Sequence, residues 1–243
     1  MTLFRTHSAF VGAATSLLLS SCGPRVLEGL SCDEIGLESC EGTALYVCNG
    51  SEFQKTADCH HQCVVRPPTE HDEETLTASE TWTCAEGPHL VTRVLTLGPG
   101  VELRVEPGAE VRFGPGARID TSPNSRLWAE GTREQPLLFT SNNETVGGWG
   151  SLNQGGLNLY VRGTDEEPSV VTHTVVERAV NGIGVLSVEE GMPLPRIENT
   201  QLRDHLSFGI LLRGCVGEPA LPTFEDDGNT FVNNGEGAIS GCQ

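Results

Sequence analysis

Apolar and polar residues alternate with period two between residues 101 and 120. Val101, Leu103 and Val105 share one face of the chain, and Glu102 and Arg104 share the other. Val111 and Phe113 oppose Glu110 and Arg112, and Ile119 lies between Arg118 and Asp120. This is the pattern of half-buried strands. Pro99-Gly100, Pro107-Gly108 and Pro115-Gly116 precede the three runs at intervals of eight residues. Pro-Gly marks turns, and breakers at this spacing exclude helix. Three strand–turn units total about 24 residues, close to one coil of a β-helix.

The later chain repeats with a longer period. Gly182-Ile183 recurs as Gly209-Ile210 and as Gly237-Ala238-Ile239, in steps of 27 and 28 residues. Val175-Val176, Thr200-Gln201-Leu202 and Thr230-Phe231-Val232 keep a similar phase, and Ile197-Glu198-Asn199 matches Phe224-Glu225-Asp226. One coil cannot bury its apolar face alone, whereas stacked coils share an interior and pair strand on strand at about 4.8 Å. Residues 90–243 leave room for about six coils, a column roughly 30 Å tall. Its ends are open sheet edges that need caps. A Cys215–Cys242 bridge would pin the last coil. A β-sandwich also gives short alternating strands but leaves the 27- and 28-residue repeats unexplained, and a left-handed β-helix calls for a six-residue period.

Composition agrees with an all-β chain. Its 243 residues allow one or two domains. Gly (29) and Pro (14) are plentiful and aromatic residues make up 5%, which disfavours a helical bundle. The net charge of -18 argues against a nucleic-acid partner, because phosphates are repelled.

The N-terminal segment through Cys22 carries an address. Arg5 precedes an apolar stretch from Ala9 to Leu19, too short to span a bilayer but of signal-peptide length. The stretch ends in Leu19-Ser20-Ser21-Cys22, which resembles the bacterial lipobox. The resemblance implies that Cys22 takes a diacylglyceryl group, that residues 1–21 are removed, and that the membrane is a partner through a lipid anchor. Gly23 at the next position, where Asp is associated with inner-membrane retention, points to the outer membrane, with the cell surface favoured over the periplasmic face.

Eight further cysteines, an even number in an exported chain, favour disulfides. Cys32, Cys40, Cys48, Cys59, Cys63 and Cys84 cluster early; Cys215 and Cys242 come late. The early six allow 15 connectivities. Residues 28–86 hold few large apolar side chains, so bridges substitute for a core. The run Cys59-His60-His61-Gln62-Cys63 contains zinc-ligand residue types, but adjacent histidines rarely reach one ion and an oxidising compartment consumes thiols. Residues 66–81 are polar, acidic and proline-led and read as a loop or linker. The expected organisation is a signal peptide at 1–21, an anchored cysteine-rich module and linker at 22–86, and a parallel β-helix at 87–243.

The run from Val101 to Leu152 resembles the opening coils of right-handed parallel β-helix proteins of the pectate-lyase-like superfamily. The matching elements are Glu106-Pro107-Gly108, Phe113-Gly114-Pro115-Gly116, Ala129-Glu130-Gly131-Thr132, the 136–140 strand and Trp149-Gly150; the 179–184 and 208–211 stretches also fit. The likeness spans about 150 residues and implies the fold. It leaves activity open, since the superfamily holds lyases, hydrolases, epimerases, adhesins and lipoproteins.

The residues themselves supply no recognisable catalytic set. Of the polygalacturonase-like motifs only Asp226-Asp227 is present, in what reads as a turn. Asp120, Glu130, Glu177, Glu198 and Asp204 come singly on successive coils, with Arg178 and Arg203 near some of them, as a solvated wall would place them. His173 and His205 fall in adjacent repeats, and Asn199, Asn233 and Asn234 suit turn ladders. Trp128, Trp149 and Tyr160 could stack on sugars if exposed. No residue is assigned as catalytic, cofactor-binding or metal-ligating. The expected function is a non-enzymatic envelope lipoprotein that acts in adhesion, cell contact or binding of an envelope protein or polysaccharide. A carbohydrate-active enzyme and an accessory lipoprotein for assembly, export or transfer are the alternatives.

Overall fold

The three Pro-Gly units form three successive corners of the winding chain. In each, a carbonyl accepts the amide three residues on: Gly98 from Val101 (3.1 Å), Glu106 from Ala109 (3.1 Å) and Gly114 from Ala117 (3.0 Å). Gly100, Gly108 and Gly116 have φ of 77°, 78° and 72°. Proline followed by a residue of positive φ is the type II turn, which is why glycine recurs there.

The computed structural model describes residues 27–41, 44–57, 67–161, 167–189, 191–216 and 224–242. Near its start, β1 (Glu38–Glu41), β2 (Ala44–Cys48) and β3 (Phe53–Ala57) form an antiparallel sheet. Leu45 and Val47 form its small apolar cluster, and a Cys32–Cys48 disulfide ties it. Cys40 lies on β1, and Cys84 is disulfide-bonded. Cys22, Cys59, His60, His61 and Cys63 lie outside the described residues.

A parallel β-solenoid of about six turns follows. Its first coil is β4 (Thr69–His71), β5 (Thr75–Leu76) and β6 (Glu80–Trp82); the second is β7 (His89–Val91), β8 (Val94–Leu97) and β9 (Glu102–Val105). Next come β10 (Glu110–Phe113), β11 (Arg118–Asp120) and β12 (Arg126–Glu130), then β13 (Leu137–Ser141), β14 (Leu157–Tyr160) and β15 (Val170–Thr172). The fifth coil is β16 (Thr174–Glu177), β17 (Ile183–Leu186) and β18 (Arg196–Glu198). The sixth has β19 (Gln201–Arg203), β20 (Phe208–Arg213) and a 3₁₀ turn, Phe224–Asp227, where a third strand would stand. β21 (Thr230–Val232) and β22 (Gly237–Ile239) close the stack. Three parallel sheets result: A (β4, β7, β10, β13, β16, β19, β21), B (β5, β8, β11, β14, β17, β20, β22) and C (β6, β9, β12, β15, β18).

Two expectations need correction. The segment read as a linker supplies the first coil, since β4, β5 and β6 pair with β7, β8 and β9. These strands are very short, too short for alternation to stand out. The last repeat is also offset from the glycine pattern: Gly237 pairs with Phe208 rather than Gly209, and Ile210 pairs with Ile239.

The core is a set of ladders. Leu95, Ile119, Leu157, Ile183 and Ile210 pair in sequence along sheet B, and all are fully buried. Each such side chain contributes about 1.5–3 kcal/mol by leaving water. On sheet A, Phe113 meets Phe139 on the next coil and also Trp149, whose ring stacks on Phe113 at 4.0 Å and 7° and whose Nε1–H donates to the Glu177 carbonyl (2.9 Å). Gly156 has to lack a side chain, because a Cβ there would lie 2.3 Å from the Trp149 ring. A Cys215–Cys242 disulfide closes the C-terminal end. Among the described residues no helix is long and apolar enough to cross a membrane.

Candidate ligand-binding groove

The outer face of sheet C is built by register. Strand parity points Arg104, Trp128 and Arg196 away from the core, and the parallel pairing aligns Arg104 with Trp128, Trp128 with Val170, and Val170 with Arg196. The Trp128 ring is half-buried, not exposed. The guanidinium carbon of Arg104 stands 5.0 Å from its centroid and that of Arg126 4.6 Å, so cation–π contact holds the ring between two coils. Its Nε1–H donates to Glu130 (3.0 Å), and Glu130 accepts from Arg196 (3.1 Å). Arg126 also bonds Glu102 at 2.5 Å and pairs with Glu167. Beside this row the corner at 131–134 raises a wall. Together they enclose an open groove of about 670 Å³, lined among others by Trp128, Glu130, Arg104, Arg133, His173 and Arg196. A pinned aromatic face with several aimed polar groups is the arrangement that grips a sugar ring and its hydroxyls.

The other sequence candidates do not join it as a set. Glu177 is buried on sheet A. One oxygen accepts from Thr140 (2.8 Å) and pairs with Arg178 (3.1 Å); the other bonds Arg203 (2.6 Å). Both oxygens are thereby satisfied, as burial of a charge demands. Asp120 bonds Arg118 (2.9 Å) and the Asn158 amide (2.6 Å) on sheet B. Glu198 lines the groove, 3.7 Å from Arg196. Asp204 accepts from Asn233 (3.3 Å) at a corner where both residues have positive φ, and Asn199 has positive φ at another. Asn234 bonds the Leu202 carbonyl (3.1 Å) and the His205 amide (3.2 Å), so these asparagines do form turn ladders. Asp226 and Asp227 lie in the exposed 3₁₀ turn. Trp149 is interior, and Tyr160 is half-buried at the end of β14.

His173 and His205 are not at equivalent positions. His173 lies half-buried in the corner between sheets C and A, whereas His205 is buried after β19. Burial holds the His205 imidazole down at about 4, against the pull of the Asp204 and Glu177 carboxylates. Its Nδ1 accepts the Ala179 amide (3.2 Å), which puts the proton on Nε2, a buried atom with no hydrogen-bond partner among the described residues.

Sequence reading missed the role of arginine. Arg126 stands two residues before Trp128 on the same strand, whereas Arg104 reaches the ring through the coil before it and Arg196 reaches Glu130 only across the long fourth coil, whose exact length sets that alignment. It also missed a histidine pair, His71 and His89, in the first two coils. No protein-family model, curated protein or solved structure matches this chain.

Proposed function

We propose that this chain is a lipid-anchored protein of the bacterial cell envelope, held at Cys22, whose solenoid wall binds a glycan at the outer face of sheet C. The lipobox-like Leu19-Ser20-Ser21-Cys22 supports the anchor, and Gly23 favours the outer membrane. Trp128 carries the binding role: it is an outward indole in a groove, held by Arg104 and Arg126 and bonded to Glu130. The same reading takes the coils to wind right-handed, as in the pectate-lyase-like superfamily. The Pro-Gly corners support it, as does the right hand that about 98% of parallel crossovers share.

Binding is favoured over turnover because the carboxylates of this face are engaged by arginines. Glu102 bonds Arg126, and Glu130 and Glu198 both face Arg196. Glycoside hydrolysis uses two acids that flank the scissile bond, about 5–9 Å apart.

The test uses the full-length protein in detergent, titrated with neutral and uronic-acid oligosaccharides and read by tryptophan emission. Of the three tryptophans, Trp82 is 2% exposed and Trp149 0%, so a surface ligand reports through Trp128. A saturable change is expected in the wild type, and calorimetric titration, which does not need the indole, should find affinity at least tenfold lower in Trp128→Ala, about 1.4 kcal/mol. No saturable response in the wild type, or a calorimetric affinity unchanged in Trp128→Ala, overturns the reading. Shortened products in the same mixture replace it with the enzyme alternative.

A further inference from the structure

The first coil holds a set of electron-pair donors that its own hydrogen bonds leave facing one another. His89 Nε2 lies 2.8 Å from the Thr83 carbonyl, which can only accept, so this nitrogen carries a proton. His89 Nδ1 therefore accepts, and the hydrogen bond it receives, at 3.1 Å, comes from His71 Nε2. That fixes the His71 tautomer, with Nδ1 turned toward Glu73 and Glu80. The ring has little freedom to turn away, since it is buried and stacked on Trp82 at 4.0 Å and 26°. Trp82 Nε1–H in turn donates to one Glu80 oxygen at 3.1 Å and leaves the other uncommitted by that bond.

One ligand atom from each of His71, Glu73 and Glu80 lies within 4.8 Å of the other two. An imidazole electron pair and two carboxylates repel each other unless a cation sits among them. The separation indicates which kind. His71 Nδ1 and Glu73 Oε1 are 3.7 Å apart, too far for a proton shared in a hydrogen bond. Two ligands about 2.1 Å from one tetrahedral ion stand about 3.4 Å apart. Glu73 is half-buried and Glu80 exposed, so both can adjust by that small amount.

We propose that His71, Glu73 and Glu80 bind a divalent transition-metal ion of the zinc class, with water completing the coordination. The His71–His89–Thr83 chain is its orienting shell: a ligating histidine commonly passes its other N–H to a fixed acceptor. The ion bridges the strand that ends at His71 to the strand that begins at Glu80. These are β4 and β6, the outermost strands of sheets A and C, which pair on one side only. The metal braces the open N-terminal end of the column, where a short coil has little core of its own.

The test is calorimetric titration of the full-length, disulfide-intact, chelator-treated protein in detergent with zinc chloride, with metal content after dialysis as a second readout. One zinc per chain is expected. Glu73→Gln combined with Glu80→Gln should weaken binding at least tenfold with an unchanged circular dichroism spectrum. Glu80→Gln alone, on an exposed side chain, should weaken it measurably if the double variant misfolds. Zinc should alter Trp82 emission in the wild type, and that change should be lost with the carboxylates. His60→Ala with His61→Ala should leave binding intact. No stoichiometric zinc, binding that survives Glu73→Gln/Glu80→Gln, or binding lost with His60 and His61 would each overturn the site.

Discussion

His205 makes the stability of the solenoid depend on pH in a calculable way. Its imidazole is held at about 4 by burial, against 6.5 in the unfolded chain. Between these values the unfolded state binds the extra proton and the folded state does not. The contribution is therefore fully present above pH 6.5 and is lost as pH falls from 6.5 toward 4. The whole displacement corresponds to about 3 kcal/mol, and the part already lost at about pH 5 is about 2 kcal/mol. His205→Asn isolates the effect. Asparagine keeps an acceptor where Nδ1 takes the Ala179 amide, removes the orphan Nε2–H, and does not titrate. Urea unfolding of both proteins at pH 7.5 and pH 5, followed by tryptophan emission, gives four stabilities. Other carboxylates and histidines cancel in the difference between wild type and variant. The gap between the two proteins should move by about 2 kcal/mol in favour of the variant on acidification. A gap constant to about 0.5 kcal/mol, the usual limit of additivity, would refute the reasoning.

Two further outcomes test the fold and the anchor. Trp149→Ala empties the space between Phe113 and the Glu177 carbonyl, and should cost about 3–5 kcal/mol in urea unfolding; a loss below about 1 kcal/mol would mean the ring is not the keystone of its coil. Cys22→Ala should abolish labelling by a radioactive fatty acid and release the protein from membranes, and retention of label and membrane together would remove Cys22 from the proposal.

The middle of the solenoid was readable because each coil there restates the same local chemistry. Pro107-Gly108 and Pro115-Gly116 sit at real corners, and Ile183 and Ile210 do stack. Cys215 and Cys242 are 27 residues apart, about one coil, and they are bonded. The ends were less readable. Thr75–Leu76 is a strand of a single dipeptide, within which no alternation can exist. The passage from β20 to β21 is longer than that from β17 to β19, so an identical glycine marks a register that is not the true one. The candidate sites were harder still. Trp128 and Arg126 share one strand face by alternation, but Arg104 and Arg196 join them only through exact coil lengths. His71 and His89 are 18 residues apart with nothing between them to signal that they touch.

The fourth coil shows where this architecture tolerates novelty. The chain from Ile119 to Leu157 is far longer than the chain from Leu95 to Ile119, yet both pairs are neighbours in one ladder. The additional chain passes through Trp149 and doubles back at Ser151–Gln154 without disturbing the rung above, where Leu157 still meets Ile183. Inserted sequence therefore thickens the column and leaves its height alone. Selection can remodel the flank of such a molecule, residue by residue, while every layer keeps its neighbours.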